Sequence, residues 1–210
     1  MTEPSSSSTG MRRKPRQARS QERVNRILDV AEALFIAEGY TATTTNAIAT
    51  HAKVPIGSLY QFFPDKAAIL KALAVRYGEL LHQRLSILDN LELAKLPLPA
   101  YVDQLIDISD QFFSEHPGYY AIFMEVQGTI PELEEIEEAA DALLIQDFAT
   151  SLSRRRLDPA DCEAIAFVLV KAIGTLLWLS LSQEKVFRQR LVIETKRLTL
   201  SYLQSYIQID

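Results

Sequence analysis

The sequence predicts an all-α chain of about nine helices, with a small N-terminal three-helix unit followed by a larger helical domain. Three observations carry this. Glycine is scarce, with 7 in 210 residues, while Leu, Ala, Ile, Glu and Gln abound; that mixture favours helix over sheet. Apolar residues recur at helical spacing, as in Ile27, Val30, Ala31, Leu34 and Phe35. Helix stops and starts fall between the periodic runs, at Gly39, Pro55, Pro64-Asp65, Pro117-Gly118 and Pro131.

Helix one is expected over 20–38, with Ser20 as its N-cap and Gly39 as its stop. Thr44 or Thr45 caps a second helix over about 45–52, buried through Ile48, Ala49 and Ala52. Lys53-Val54 connects it to a short third helix over about 55–62, which Pro55 opens and Phe63-Pro64 closes. Asp65 caps a fourth over about 66–88, apolar near its start at Ile69, Leu70, Leu73 and Val75. The domain reading is a basic arm over 1–19, a three-helix unit over 20–66 and a helical domain over 67–210.

Two short helices joined by a tight turn and braced by a longer first helix make a helix-turn-helix layout, whose last helix enters the DNA major groove. The net charge of −5 argues against a nucleic-acid partner, but its distribution reverses the inference. Residues 1–76 hold eleven Lys/Arg and six Asp/Glu, or +5, and residues 77–210 hold eleven and twenty-one, or −10. The basic excess gathers at Arg12, Arg13, Lys14, Arg16 and Arg19. A lone basic run is as often a solvated tail; beside this layout it reads as a DNA-binding arm. Helix three starts with small residues, which let its backbone approach base edges. Pro55, Ile56, Gly57, Ser58 and Gln61 are the candidates, with Ile56 suited to a thymine methyl and Ser58 to several bases. The hydroxyls of Thr44, Thr45 and Tyr60, and the cations Lys53 and Lys66, are candidate phosphate contacts. The alternative, an ordinary core helix, accounts for Leu59 and Phe63 but not for the small polar residues between them.

These residues resemble a known family. Gly39-Tyr40, Thr43-Thr44-Thr45, Ile48-Ala49, Ala52-Lys53-Val54-Pro55, Gly57-Ser58-Leu59-Tyr60, Phe62-Phe63, Lys66 and Leu70 follow the spacing of the TetR family of bacterial transcriptional regulators. The resemblance covers residues from about 20 to 75, a quarter of the chain. It implies a dimer whose remaining helices form a ligand-binding and dimerisation domain; the ligand does not carry over. Three positions depart from the pattern. Lys53 stands where the family usually has a turn glycine, Pro55 replaces the usual serine N-cap, and Phe62 has no phosphate-bonding group where Tyr or His is frequent.

Only helices are expected beyond residue 89. Leu96-Pro97-Leu98-Pro99 leads into a helix over about 99–115, His116-Pro117-Gly118 breaks it, and a helix over about 118–127 follows. Pro131 opens another to about Arg154, whose acidic first turns (Glu132, Glu134, Glu135, Glu137, Glu138) suit the helix dipole and read as a solvated face. The cationic end, Arg154-Arg155-Arg156, complements the same dipole. Helix eight, about 159–183, is apolar on nearly every side and calls for a partner subunit; helix nine runs over about 187–207. Two helices from each copy would make an isologous four-helix interface through Leu169, Gly174, Leu177, Leu191, Leu198 and Tyr202. Phe112, Tyr119, Tyr120, Phe123, Met124, Phe148 and Trp178 are either plain core or the lining of a pocket for an apolar or aromatic effector, with Asp147 or Gln127 as its polar anchor.

Several classes are excluded. The segment MTEPSSSSTG lacks the apolar stretch of a signal peptide, and one cysteine, Cys162, permits no intramolecular disulfide, so a reducing cytoplasm fits. The run 164–182 nearly matches a membrane span, but Lys171 would sit at its middle, so no membrane is expected. His51, His82 and His116 lack metal-ligand spacing, and there is neither a nucleophile elbow nor a Gly-rich phosphate loop. No enzyme, metal or cofactor is therefore expected. A redox role for Cys162 is the weaker alternative to an inert thiol. The leading reading is a homodimeric repressor released from double-stranded operator DNA by a small molecule. The alternatives are a ligand-independent regulator and an architectural DNA binder.

Overall fold

The computed structural model describes residues 14–89, 95–119, 130–155 and 158–206; among them there is helix and no strand. The helices are α1 (Lys14–Glu38), α2 (Thr45–His51), α3 (Ile56–Phe62), α4 (Lys66–Leu85), α5 (Leu98–Glu115), α6 (Pro131–Ser153), α7 (Pro159–Ser180) and α8 (Lys185–Gln204), with a 3-10 turn at Ser86–Asp89 after α4. The chain divides into two compact units between Ala72 and Leu73, within α4. That is six residues beyond the expected boundary at 66, because the first two turns of α4 belong to the N-terminal unit. Ile69 and Leu70 there are fully buried.

Helix α1 starts six residues before the expected position, and Ser20 lies inside it rather than capping it. Past Pro15, no breaker interrupts the chain before Ser20. Gln17, Ala18 and Arg19 are good helix formers, and Pro15 occupies the first turn, where a missing N–H costs nothing. The C-terminus follows the glycine rule: Gly39 has φ 84° and its N–H donates to the Phe35 carbonyl at 3.0 Å. Ile27, Ala31, Leu34 and Phe35 close over Ile48, Ala49 and Leu59 to form this unit's core.

In the second unit α6 lies along α7, and α7 packs also against α5 and α8. Arg188 binds Asp110 at 2.6 Å and Lys196 binds Asp107 at 2.7 Å, tying α8 to α5. Arg155 donates to the Leu96 carbonyl at 2.9 Å and covers the Tyr101 ring at 4.1 Å, so it anchors the chain ahead of α5 as well as complementing a dipole. Helices α4 and α6 approach closely at Gly78, where an added Cβ would lie 3.0 Å from the Ala140 methyl. Beyond residue 119, the helix expected over 118–127 lies outside the described residues.

The expected dimer residues need correction. Leu169 and Leu177 are buried within the chain, at 3% and 0% exposure. They face α7's own neighbours, and an all-apolar helix carries no pattern that marks its outer side. Leu198 is open at 52%, as the interface reading requires, while Leu191 and Tyr202 are half-buried. The exposed apolar side of α7 consists of Phe167, Val168 and Leu179, and that of α8 adds Val186, Phe187 and Ile193.

Lys53 has φ 54°, a left-handed conformation that costs a residue with a Cβ roughly 1–2 kcal/mol. Lys53→Gly is expected to raise the unfolding free energy by about 1 kcal/mol, while Lys53→Ala leaves it nearly unchanged. Urea titrations of the three proteins check this; equal midpoints would show that the turn is unstrained.

Candidate nucleic-acid interface and effector cavity

The helix-turn-helix is set by local hydrogen bonds. Thr44, rather than Thr45, caps α2: its side-chain oxygen accepts from the Ala47 N–H at 3.1 Å. The turn closes through the Lys53 N–H to the Thr50 carbonyl at 3.2 Å and the Val54 N–H to the Ala49 carbonyl at 3.0 Å. Pro55 precedes α3 without a side-chain cap, and the next turn starts with the Ser58 N–H donating to its carbonyl at 2.8 Å. Asp65 caps α4 by accepting from the Ala68 N–H at 2.7 Å.

Helix α3 has two sides. Leu59 is fully buried, and Phe63 follows it inward. Pro55, Ile56, Gly57, Tyr60 and Gln61 are exposed, with Ile56 at 38% and Tyr60 at 50%. Ser58 is half-buried, at the edge of this face. A Cβ on Gly57 would meet nothing within 4 Å, so the protein's own packing does not require glycine there. The Tyr60 and Thr45 hydroxyls are hydrogen-bonded at 3.0 Å, which holds the ring between α2 and α3. His51, exposed on α2 with Nδ1 2.8 Å from the Ala47 carbonyl, joins this side. Sequence reasoning passed over it, because a lone histidine carries no motif. Arg12 and Arg13 lie outside the described residues, as do the side chains of Lys14 and Arg16.

Lys66 departs from its expected role. Its ammonium donates to the carbonyls of Tyr40 at 2.5 Å, Thr41 at 3.2 Å and Thr43 at 2.9 Å, and lies 4.3 Å from the centre of the Tyr40 ring. An ammonium has three N–H donors, and all three meet the α1–α2 turn. A phosphate would have to displace a carbonyl, so Lys66 is a clasp between this turn and α4.

The second unit encloses a cavity of about 340 Å³, within the usual range for small-molecule sites. Of the residues expected there, Tyr119, Phe148 and Trp178 line it. Phe112 does not: it is fully buried in the core, against Phe113 and His116. Tyr120, Phe123, Met124 and Gln127 lie outside the described residues. Gly174, expected at the dimer interface, lines the cavity instead, and a Cβ on it would meet nothing within 4 Å. Tyr77 and Gly78 from α4 and Tyr101 and Phe113 from α5 complete walls that the sequence did not reveal. The one available signal was Gly78, a glycine inside a long helix.

The polar part of the wall is acidic. Lys171 pairs with Asp141 at 2.5 Å, and Asp147, one of the two expected anchors, pairs with His82 at 2.8 Å. Glu137, read from sequence as part of a solvated face, is half-buried and faces the cavity. Burial holds its carboxyl above the usual range; Asp141 adds to this, Lys171 opposes it and Glu134 adds further. Burial also raises the Cys162 thiol, with Asp158 and Asp161 contributing, which fits an inert cysteine better than a redox sensor.

Lys66→Met is expected to destabilise the protein by about 2 kcal/mol, since it leaves three carbonyls without their charged donor. Denaturant unfolding decides this: unchanged stability with weakened DNA binding would restore the phosphate role.

Two family models match the chain. Residues 27–73 match the tetR family of bacterial regulatory proteins, and residues 97–203, half of the chain, match the tetracyclin repressor-like C-terminal domain. The uncharacterised HTH-type transcriptional regulator YuxN of Bacillus subtilis is 29% identical over 120 residues, 57% of this chain and 40% of that protein. The HTH-type transcriptional repressor KstR of Rhodococcus jostii is 39% identical over 64 residues, 30% of each. The chain thus spans less than half the length of either curated relative. A TetR-family transcriptional regulator from Streptomyces coelicolor has a similar structure, with a TM-score of 0.65 and 25% identity over 88% of this chain and 99% of that one. With both halves matched in the order its helices follow, the chain belongs to the tetR family of bacterial regulatory proteins.

Proposed function

We propose that this protein is a sequence-specific transcriptional repressor, cytoplasmic and homodimeric, that leaves double-stranded operator DNA when a small apolar or aromatic molecule fills its cavity. The observation that carries the DNA reading is the exposed side of α3, where Ile56, Gly57 and Tyr60 stand open and Gly57 has no packing reason to be small. Such a surface admits close approach to base edges, and Thr44, Thr45 and Lys53 beside it supply phosphate contacts. The named repressor among the relatives supports the sign of regulation.

The exposed apolar sides of α7 and α8 support the dimer. Phe167, Val168, Leu179, Val186 and Leu198 are large apolar groups that water would otherwise cover. Two copies related by a two-fold axis would also match a palindromic operator. The cavity supports the effector. Helix α4 carries the Lys66 clasp near its start, and Ala74, Tyr77 and Gly78 in the cavity wall further along. A ligand that displaces α4 thereby acts on the DNA-binding unit through the helix itself, shifting the population toward a state with the wrong half-site spacing.

Selection from a random duplex pool at moderate salt tests the reading: a two-fold symmetric motif is expected, and sequence-indifferent binding would favour an architectural protein. On the selected duplex, Tyr60→Phe is expected to weaken binding several-fold at fixed salt without unfolding the protein; equal affinity would remove that hydroxyl from the phosphate contacts. Phe167→Asp with Leu198→Asp is expected to yield monomers in sedimentation, and a dimer that persists would place the interface elsewhere.

A further inference from the structure

The wall of the cavity combines aromatic rings with carboxylates. Among the described residues, six aromatic side chains line it: Tyr77, Tyr101, Phe113, Tyr119, Phe148 and Trp178. Among the described lining residues, four carboxylates (Glu134, Glu137, Asp141 and Asp147) stand against one ammonium, that of Lys171. Lys171 is engaged by Asp141 and Asp147 by His82. Glu134 is exposed. Glu137 is half-buried, and among the described residues its electrostatic offset is Lys171, which Asp141 already engages.

An anion entering this space would meet an excess of negative charge among the described lining residues. A neutral ligand would leave Glu137 with only the partial offset of Lys171, which Asp141 already engages. A cation suits both parts of the wall: its charge offsets the carboxylates, and aromatic side chains can attract it through their quadrupoles. We propose that the cavity selects a lipophilic monocation, an apolar or aromatic body carrying one protonated or quaternary nitrogen, with Glu137 as its counter-charge. This rests on the reading of the cavity as the effector site, and adds the charge of the effector to it. The raised carboxyl of Glu137 agrees, since burial leaves that carboxylate poorly solvated.

Three ligands of one shape test the charge. They are 1-adamantyltrimethylammonium, 1-adamantanemethanol and 1-adamantanecarboxylate, and all are transparent where tryptophan emits. The chain has one tryptophan, Trp178, and it lines the cavity, so its fluorescence reports occupancy without DNA. The ammonium is expected to bind at least about tenfold more tightly than the alcohol, and the carboxylate more weakly than either. Glu137→Gln is expected to reduce the ammonium-to-alcohol ratio about tenfold, while Glu135→Gln, an exposed acid on the same helix, leaves it unchanged. The proposal is overturned by an alcohol or carboxylate that binds as tightly as the ammonium, by a ratio indifferent to Glu137→Gln, by an equal loss in Glu135→Gln, or by no response to any of the three. Operator release is measured separately with the same compounds. Release by the alcohol or carboxylate alone would keep the effector reading and remove the cation; tight ammonium binding without release would do the reverse.

Discussion

Helix α7 is apolar on nearly every side, and its large apolar groups have to be covered. One side meets the core, where Ile165, Ala166, Leu169 and Leu177 vanish among α5, α6 and α8. A second, through Ile173, Gly174 and Trp178, faces the cavity. The third, at Phe167, Val168 and Leu179, is open in the single chain. The hydrophobic effect thus links the core, the proposed effector site and the proposed interface in one element. By length and hydropathy the same helix would cross a membrane. The Lys171–Asp141 ion pair places its one cation against a protein carboxylate, which suits a helix packed on protein.

The N-terminal unit is organised by polar rather than apolar economy. Its core is small, so its geometry depends on clasps: the Lys66 ammonium on three carbonyls, Thr44 capping α2 and Asp65 capping α4. Each satisfies backbone groups that a short helix or tight turn leaves without partners. The turn at Lys53 is the exception, holding a Cβ-bearing residue in the left-handed region. A cation in that turn fits the role proposed for the unit, since backbone strain is retained where a side chain serves another purpose.

Charge separates the two halves as clearly as packing does. The +5 of residues 1–76 suits a polyanion, and the −10 beyond them repels one. The acidic excess also lines the cavity, so one bias in composition bears on both proposed partners: phosphates are drawn to the first unit, and anions are disfavoured in the second.

The sequence by itself determined the helical class, the positions of most helix ends and the helix-turn-helix. These depend on neighbours a few residues apart: a threonine three positions before the N–H it caps, a glycine past a last turn, a stripe at i, i+3, i+4. Where such a signal was missing the reading failed, as at Ser20, since past Pro15 nothing marks a helix start before it. Tertiary structure alone decided which side of α7 faces outward, so Leu169 and Leu177 went inward and Gly174 to the cavity. It decided too that Lys66 clasps a turn 23 to 26 residues away. The cavity draws on α4, α5, α6 and α7 together, and Glu137 became part of it only through the helices packed around it. Such juxtapositions join residues far apart in the chain, and a helical period records which residues share a face but not what that face will meet.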